Sequence, residues 1–395
     1  LLLVRLWRSL LFWIPPALLH GGIFSPERVC CTSAYKESIF ALYIRADLLL
    51  VIYTFKTFMK TLICTTPGQF AYGEKERPVL TKGQAIIKIN RIGICGTDLH
   101  AFEGTQPYFE YPRILGHELS GELVEADAAP GFEKGEAVTF IPYFNCGTCI
   151  ACRSGKPNCC TSLKVCGVHV DGGMVEYLSV PSHTLVHGQG LSFDELALVE
   201  PLAIGAHGVR RAAVQPGEFV LVVGAGPIGL GIMEFSRIAG AQVIAMDINE
   251  HRLAFCKDKL QVAHTVNATS PDVMEQLKQI TNGDMPTVVI DATGSLKAIQ
   301  NAFQYMAHGA RYVLVGLQKG EISFSHPEFH KRESTLMSSR NATREDFEHV
   351  ISSMKKGLVK PATYITHRVG FDAVKDNFES WLDPKNGVIK AMVTV

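Results

Sequence analysis

The sequence predicts an α/β protein in which an irregular, β-rich domain is interrupted by an inserted, doubly wound domain with a parallel sheet. Three observations carry that reading. Up to about Ala203 the chain is rich in β-branched residues and glycine, in runs such as "QAIIKINRIGI", "LSGELVEA", "EAVTFIPYF" and "MVEYLSVP", the pattern of short strands joined by turns. After Pro216 the texture changes to apolar strand followed by helix, repeated, which a parallel sheet with crossover helices accommodates. Beyond Ser338 the chain turns helical ("REDFEHVISSMKKG") and closes on a strand-like "GVIKAMVTV", so the last segment is expected to rejoin the first domain.

Taken in order, residues 1–58 read differently from the rest of the chain. They hold two of the three tryptophans and the adjacent pair Cys30 and Cys31, and the first methionine is Met59. The stretch from Ser9 to Pro26 has no charged residue, but Pro15, Pro16, Gly21 and Gly22 interrupt it, and "DLLLVIYTF" is too short to span a bilayer. The expectation is an extension outside the fold, with "MKTLICTTPGQ" as the natural beginning of a cytoplasmic protein. The β-rich domain is then expected over 59–202, the inserted domain over 203–338 and the return over 339–395. Inside the inserted domain "EFVLVVGAG" reads as a buried strand, "PIGLGIMEFSRIAG" as its helix and "AQVIAMDI" as the next strand. "TVVIDATG", "LKAIQNAFQYMAHG" and "ARYVLVGL" repeat the scheme.

With 395 residues, 47% hydrophobic and 19% charged, the chain can bury substantial cores. Lys plus Arg and Asp plus Glu both number 38, so no basic surplus draws nucleic acid or acidic membranes, and small ligands are the expected partners.

The turn "GAGPIG" sets Gly224, Gly226 and Gly229, with Pro227 and Ile228 between them, where a strand meets a helix. The first glycine permits the tight turn, the second lets backbone approach a pyrophosphate, and the third lets helix pack on strand. Eighteen residues after Gly229, Asp247 ends the following strand, where a carboxylate accepts ribose hydroxyls and repels a 2′-phosphate. NAD is therefore expected over NADP; no arginine directly follows Asp247, and the nearest cation is Arg252.

Five of the eleven cysteines lie between Cys146 and Cys160. Cys146, Cys149, Cys152 and Cys160 give C-x2-C-x2-C-x7-C on a loop with little apolar burial, the arrangement of a closed, four-thiolate Zn²⁺ site that orders a loop. Cys159 is the rival fourth ligand by spacing. In "GICGTDLH", Cys95 is followed twenty-two residues later by His117 and Glu118 of "GHE", and later by Glu200 of "VEPLA". Cysteine, histidine and carboxylate form the ligand set of a zinc that keeps one position open for chemistry.

Over Met59 to Val395 these motifs resemble the zinc-dependent medium-chain dehydrogenase/reductases, the alcohol and polyol dehydrogenase group. The resemblance implies a GroES-like catalytic domain around a Rossmann domain, two zinc ions and NAD. It makes Cys95 and His117 zinc ligands, with Glu118 the third ligand and Glu200 an alternative ligand or a partner of the metal-bound water. Thr97 becomes the hydroxyl of a proton relay that reaches solvent at His100, and Asp98 is expected to orient His117 through its free ring nitrogen. "GICGTDLHAFEGTQPYFEYPRILGHE", "GVHVDGGMVEYLSVP" and "PEFHKRESTLMSSRNATREDF" are most similar to the bacterial sugar-acid branch. That implies oxidation of a secondary alcohol of a hexonate such as L-galactonate. Neutral polyols, then L-threonine or short diols, are the next substrates, and a zinc- and nucleotide-binding module without turnover is the reading from another class. A hexonate needs a cation for its carboxylate, and His330, Lys331, Arg332, Arg340 and Arg113 are the candidates; Arg340 can equally serve the cofactor pyrophosphate. The resemblance also implies a homodimer or homotetramer.

Overall fold

The computed structural model describes residues 58–107 and 109–395. The extension expected over residues 1–58 lies, Phe58 excepted, outside the described residues. β1 (Phe58–Thr66) and β2 (Gln69–Glu76) form an antiparallel hairpin. β3 (Gln84–Gly93) leads through Cys95 into α1 (Gly96–Glu103), then β4 (Arg113–Ile114), β5 (Glu118–Ala126), β6 (Ala137–Phe140) and β7 (Tyr143–Phe144). A loop carrying the short helix α2 (Ile150–Arg153) precedes β8 (Lys164–Val165), β9 (Tyr177–Pro181) and β10 (Leu185–His187). Helices α3 (Phe193–Ala197) and α4 (Val199–Ala212) follow.

The reading of strands and turns up to Ala203 is thus corrected at α1, α2, α3 and the start of α4. Pro201, Gly205 and Gly208 make α4 a poor helix by propensity. Packing overrides it: α4 lies against the next helix so closely that a Cβ on Gly205 would stand 2.8 Å from the carbonyl carbon of Gly231. Pro201 falls in the first turn, where its missing N–H costs nothing.

The inserted part alternates strand and helix: β11 (Phe219–Val223), α5 (Pro227–Ile238), β12 (Gln242–Asp247), α6 (Glu250–Leu260), β13 (His264–Asn267), α7 (Val273–Ile280), β14 (Val288–Asp291), α8 (Leu296–Ala302), β15 (Arg311–Leu314), α9 (His326–Lys331) and β16 (Thr335–Ser338). The strands are all parallel, in the order β13-β12-β11-β14-β15-β16. Both faces are covered, so alternate residues of one strand enter different cores: Val220 and Val222 pack with α4 and α5, Leu221 and Val223 with Ile299 and Ala302 of α8. The order reverses beside β11, and the crevice that ligands use opens there, at the carboxyl ends of the strands.

α10 (Arg344–Lys355), β17 (Ile365–Gly370) and β18 (Lys390–Thr394) complete the chain. β18 pairs antiparallel with β3, Met392 opposite Gly93, inside a sheet ordered β10-β6-β5-β3-β18-β17 with β9 also on β3. The C-terminal segment therefore rejoins the β-rich part through its central strand. Among the described residues no helix is long and apolar enough to cross a membrane.

Candidate active site

β3, β5, β18 and α4 deliver one cluster of side chains. Cys95 caps α1 just beyond β3. Asp98, 1% exposed, accepts the Cys95 N–H at 3.0 Å on one oxygen and the Gly116 N–H at 3.1 Å on the other. One carboxylate thereby ties the cysteine turn to the segment entering His117. β5 pairs with β3 so that Glu118 faces Gly93. One ligand atom each of Cys95, His117 and Glu118 then lies within 4.8 Å of the others. Glu200, in the first turn of α4, is 2% exposed.

His117 Nδ1 and Glu200 Oε2 are buried without a hydrogen-bond partner. Bare buried polar atoms cost about 1–3 kcal/mol each, a cost a bound cation removes. Burial works against a charged imidazole, yet Asp98, Cys95 and Glu200 raise the His117 pKa well above its ordinary value, so the pocket is a negative well. Burial, reinforced by Glu118 and opposed by His117, pushes Glu200 up to about 7. The donor set and the unpaired Glu200 oxygen fit a zinc ion, His117 Nδ1 being the ring nitrogen on the Asp98 side. Asp98 Oδ1 stands 3.7 Å from His117 Nδ1, too long for a hydrogen bond, so Asp98 acts on the histidine here through charge and through the Gly116 backbone.

Two residues of this cluster were not picked out in the sequence. Tyr143 of β7 donates its hydroxyl to Glu200 Oε1. Lys390, the first residue of β18, has Nζ at 2.6 Å from both Glu118 oxygens and 3.0 Å from Ile94 O, with Lys390 2% and Glu118 0% exposed. A lysine inside "GVIKAMVTV" was the available signal, because lysine is almost never fully buried unless paired; Tyr143 carried none. Glu118 is thus near Cys95 and His117 but has both oxygens engaged, whereas Glu200 keeps one oxygen free. Thr97 is half-buried and His100 exposed, three residues apart on one face of α1. His100 Nδ1 meets Glu103 Oε2 at 3.2 Å and Thr105 Oγ1 at 3.3 Å.

The four sulfurs of Cys146, Cys149, Cys152 and Cys160 form a second group within 4.8 Å, all as free cysteines, while Cys159 is exposed and outside it. Backbone N–H groups point at these sulfurs: Cys149 N lies 3.3 Å from Cys146 Sγ, Cys146 N 3.3 Å and Ser162 N 3.4 Å from Cys160 Sγ. Hydrogen bonds from the Cys152 and Thr161 backbones lower Cys149 to about 5, and the Thr148 hydroxyl and backbone, then Cys149 N–H, lower Cys146 to about 7. Thiolates prepared in this way fit a closed zinc site. Cys149→Ala is expected to cost one zinc per chain and to lower Tm, while kcat of the folded enzyme changes by less than about threefold; metal analysis and thermal melting check this.

The glycine turn stands at the switch point. Gly224 takes φ +102°, open to glycine, and a Cβ on Gly229 would lie 1.8 Å from Gly224 O. Gly226 caps α5 with no side-chain cap; Pro227 is in its first turn, Ile228 is half-buried, and the space a Cβ on Gly226 would fill is empty. Free N–H groups at a twelve-residue helix with that opening fit a pyrophosphate. Asp247 Oδ2 accepts from Ala225 N at 2.7 Å and Oδ1 from Asn249 N at 2.9 Å, so it also pins the glycine turn. Each oxygen retains acceptor capacity for a ribose hydroxyl. Arg252, in α6, is half-buried with no ion pair among the described residues. α4 links the two sites, carrying Glu200 at its start and packing Leu202 and Gly205 on Gly231 of α5.

The candidate cations separate. His330 and Lys331 of α9, with Arg332 after it, sit at the amino ends of the parallel strands: Gly309 N bonds Arg332 O at 2.6 Å, and Thr335 faces Arg311, the first residue of β15. Arg332 and Lys331 pair with Glu328, and Arg332 lines a cavity of about 390 Å³ with Phe303 and Phe324. That is the wrong end of the sheet for the crevice, so these three are withdrawn as substrate anchors. Arg113 stands 3.7 Å from Asp171 and 4.0 Å from Glu110. Arg340, two residues past β16, is exposed and has no acidic partner among the described residues.

A dinucleotide turn joined through one helix pair to a cysteine, histidine and carboxylate pocket defines a metal-dependent dehydrogenase. Residues 81–189 match the family described as "Alcohol dehydrogenase GroES-like domain" and residues 227–356 that described as "Zinc-binding dehydrogenase". The chain is 43% identical over 337 residues to L-galactonate-5-dehydrogenase of Escherichia coli (strain K12), covering 85% of this chain and 99% of that one. It is 31% identical to a sorbitol dehydrogenase of Halalkalibacterium halodurans, over 78% of this chain and 92% of the other. A crystal structure of the alcohol dehydrogenase rspB from Escherichia coli CFT073 complexed with NADH superimposes with a TM-score of 0.79 at 32% identity, over 86% of this chain and all of that one. The chain belongs to the zinc-dependent alcohol dehydrogenase family, with a GroES-like domain and a Rossmann domain, and is an oxidoreductase that uses zinc and a nicotinamide dinucleotide.

Proposed function

We propose that the enzyme oxidises a secondary alcohol of a sugar acid, L-galactonate or a close hexonate, to the ketone, with NAD as hydride acceptor, in the cytoplasm and as a homodimer or homotetramer. The observation that carries the substrate class is the uncommitted positive charge around Arg340. Burial, then the charges of Lys164, Arg340 and Arg113, lower the His169 pKa, so the neighbourhood of this histidine is positive and His169 itself is held neutral. Among the described residues Lys164, His169 and Arg340 have no acidic partner. A carboxylate would be held there by charge-assisted hydrogen bonds; a neutral polyol has no use for such a group. The similarity to L-galactonate-5-dehydrogenase supports the same class.

When bound, zinc polarises the reacting hydroxyl and lowers its pKa, and NAD accepts the hydride. Cys95 and His117 would hold the reacting metal with Glu118, which Lys390 orients, or with Glu200 as the alternative carboxylate, and Cys146, Cys149, Cys152 and Cys160 a second, loop-ordering zinc. Thr97 would accept the hydroxyl proton as it releases its own toward the cofactor ribose, and His100, one turn further along α1, would pass a proton to solvent. Gly224, Gly226 and Gly229, with Pro227 and Ile228, present the free N–H groups of α5 to the pyrophosphate, Asp247 binds the adenosine ribose, and Arg252 flanks it. NAD reduction measured with L-galactonate, L-gulonate, sorbitol, xylitol and L-threonine tests the reading; better turnover of sorbitol or xylitol than of every sugar acid overturns it.

NAD is expected to exceed NADP by about 100-fold in kcat/KM, since a like charge against Asp247 costs several kcal/mol. Asp247→Ser is expected to narrow that ratio to about tenfold or less at unchanged zinc content. It also raises the KM for NAD, because Ala225 N–H loses its acceptor. A wild-type preference for NADP would show that Asp247 faces away from the ribose.

A further inference from the structure

The four-cysteine loop does more than close on itself. Asn158, two residues before Cys160 and 4% exposed, has its Nδ2 2.9 Å from Arg340 O and 3.2 Å from His207 Nε2. Both neighbours accept, so the amide orientation is determined: Nδ2 donates one hydrogen to each. His207, 5% exposed on α4, then carries its proton on Nδ1 and donates it to Asp346 Oδ2 at 2.8 Å. Asp346, 2% exposed, also accepts from Arg210 and from Thr343 N, the N-cap of α10. Although burial opposes it, bonds from His207 and Arg210 hold the Asp346 carboxyl well below its ordinary range, so the far end of the chain is a fixed charge. Asn341 Nδ2 returns a 3.4 Å contact to Asn158 O from a backbone at φ +53°, a left-handed conformation that a non-glycine residue keeps only when held.

We infer that Asn158 is a positioning residue through which the four-cysteine loop holds the backbone of Arg340, so that anion binding at Arg340 depends on the order of that loop. The inference rests on the reading of Arg340 as an anion-binding residue. The chain of bonds runs from the loop through Asn158 to Arg340 and, by His207, to the second half of α4 and the start of α10. The loop's metal site is thereby coupled to the crevice and not only to stability.

The test compares Asn158→Asp, which keeps the size but donates nothing, with Asn158→Ala, Cys149→Ala and Arg340→Gln. Hydrogen exchange of residues 338–346 is read in each, with zinc content, the NADH Kd by fluorescence, and KM and kcat for L-galactonate and xylitol. Both Asn158 variants are expected to keep two zinc ions per chain and to exchange faster at 338–346. The KM for L-galactonate should rise about 5- to 30-fold, the worth of one or two hydrogen bonds, with kcat and the KM for xylitol changing little. Cys149→Ala should speed the same exchange. His207→Leu, which leaves the loop's own residues intact, should shift exchange and KM the same way if the Asn158 variants shed metal. Unchanged exchange at 338–346 in the Asn158 and Cys149 variants overturns the inference. If Arg340→Gln raises the L-galactonate KM but the Asn158 variants do not, the coupling is also overturned. If Arg340→Gln alters no ligand while exchange still responds to Asn158, the reading of Arg340 fails instead, and a rise confined to the NADH Kd moves its anion to the cofactor.

Discussion

Cys95→Ala is expected to lower kcat/KM by about a thousandfold or more, roughly 4 kcal/mol of transition-state stabilisation, and to lower the zinc content by one ion per chain. Cys95 would be the thiolate donor of a pocket it forms with His117 and Glu118, beside which Glu200 Oε2 is buried and unpaired. With alanine there, histidine and carboxylates remain, and the hydroxyl loses the cation that lowers its pKa. Cys149→Ala is the matched control, since it removes the other zinc while kcat survives. Paired carboxylate variants identify the third ligand: Glu118→Gln is expected to lose the reacting zinc and Glu200→Gln to retain it, because a Glu118 oxygen lies within 4.8 Å of the Cys95 and His117 ligand atoms and keeps acceptor capacity beside Lys390. Cys95→Ala with unchanged metal content and unchanged activity would remove the pocket from the mechanism.

What the sequence made legible, and what it hid, divides by range of interaction. The parallel sheet could be read because each of its signals is local: "GAGPIG" between an apolar run and a helix, and Asp247 at the end of the next run. Both side-chain clusters were legible because cysteine and histidine have few other reasons to recur at such spacings. α4 was hidden because Gly205 and Gly208 lower its helix propensity, and only tertiary contacts explain them, Gly205 against Gly231 of α5 and Gly208 against Val315. His207, in the apolar run "GAHGV", reads as an ordinary core histidine until Asn158 and Asp346 arrive from distant parts of the chain. The cations of "HKRES" misled for a related reason. Residues 326–340 contain a helix and a strand, so His330 and Arg340, ten residues apart in sequence, belong to opposite ends of the sheet.

Lys390→Met is expected to destabilise the zinc-free protein by about 3–5 kcal/mol, the usual cost of removing one partner of a buried ion pair. Lys390 and Glu118 are both essentially inaccessible, and Nζ gives one further bond, to Ile94 O. Burial alone would favour a neutral amine, but Glu118, foremost among its neighbours, raises the Lys390 pKa, so the pair is maintained as charges. Methionine matches the stem and removes the charge, leaving the Glu118 carboxylate facing Gly93 and Cys95 with nothing to bond. The melting temperature of the zinc-depleted protein should fall by on the order of 5–15 °C. Adding Glu118→Gln should recover much of that loss, because the uncompensated carboxylate, and not the missing lysine, carries most of the cost. In the zinc-loaded enzyme the loss should be smaller, since a freed Glu118 can turn to the cation it stands beside. A single variant that melts within about 1 °C of the wild type, or a double variant no more stable than Lys390→Met alone, would show that this pair does not hold β18 to β5 beneath the metal pocket.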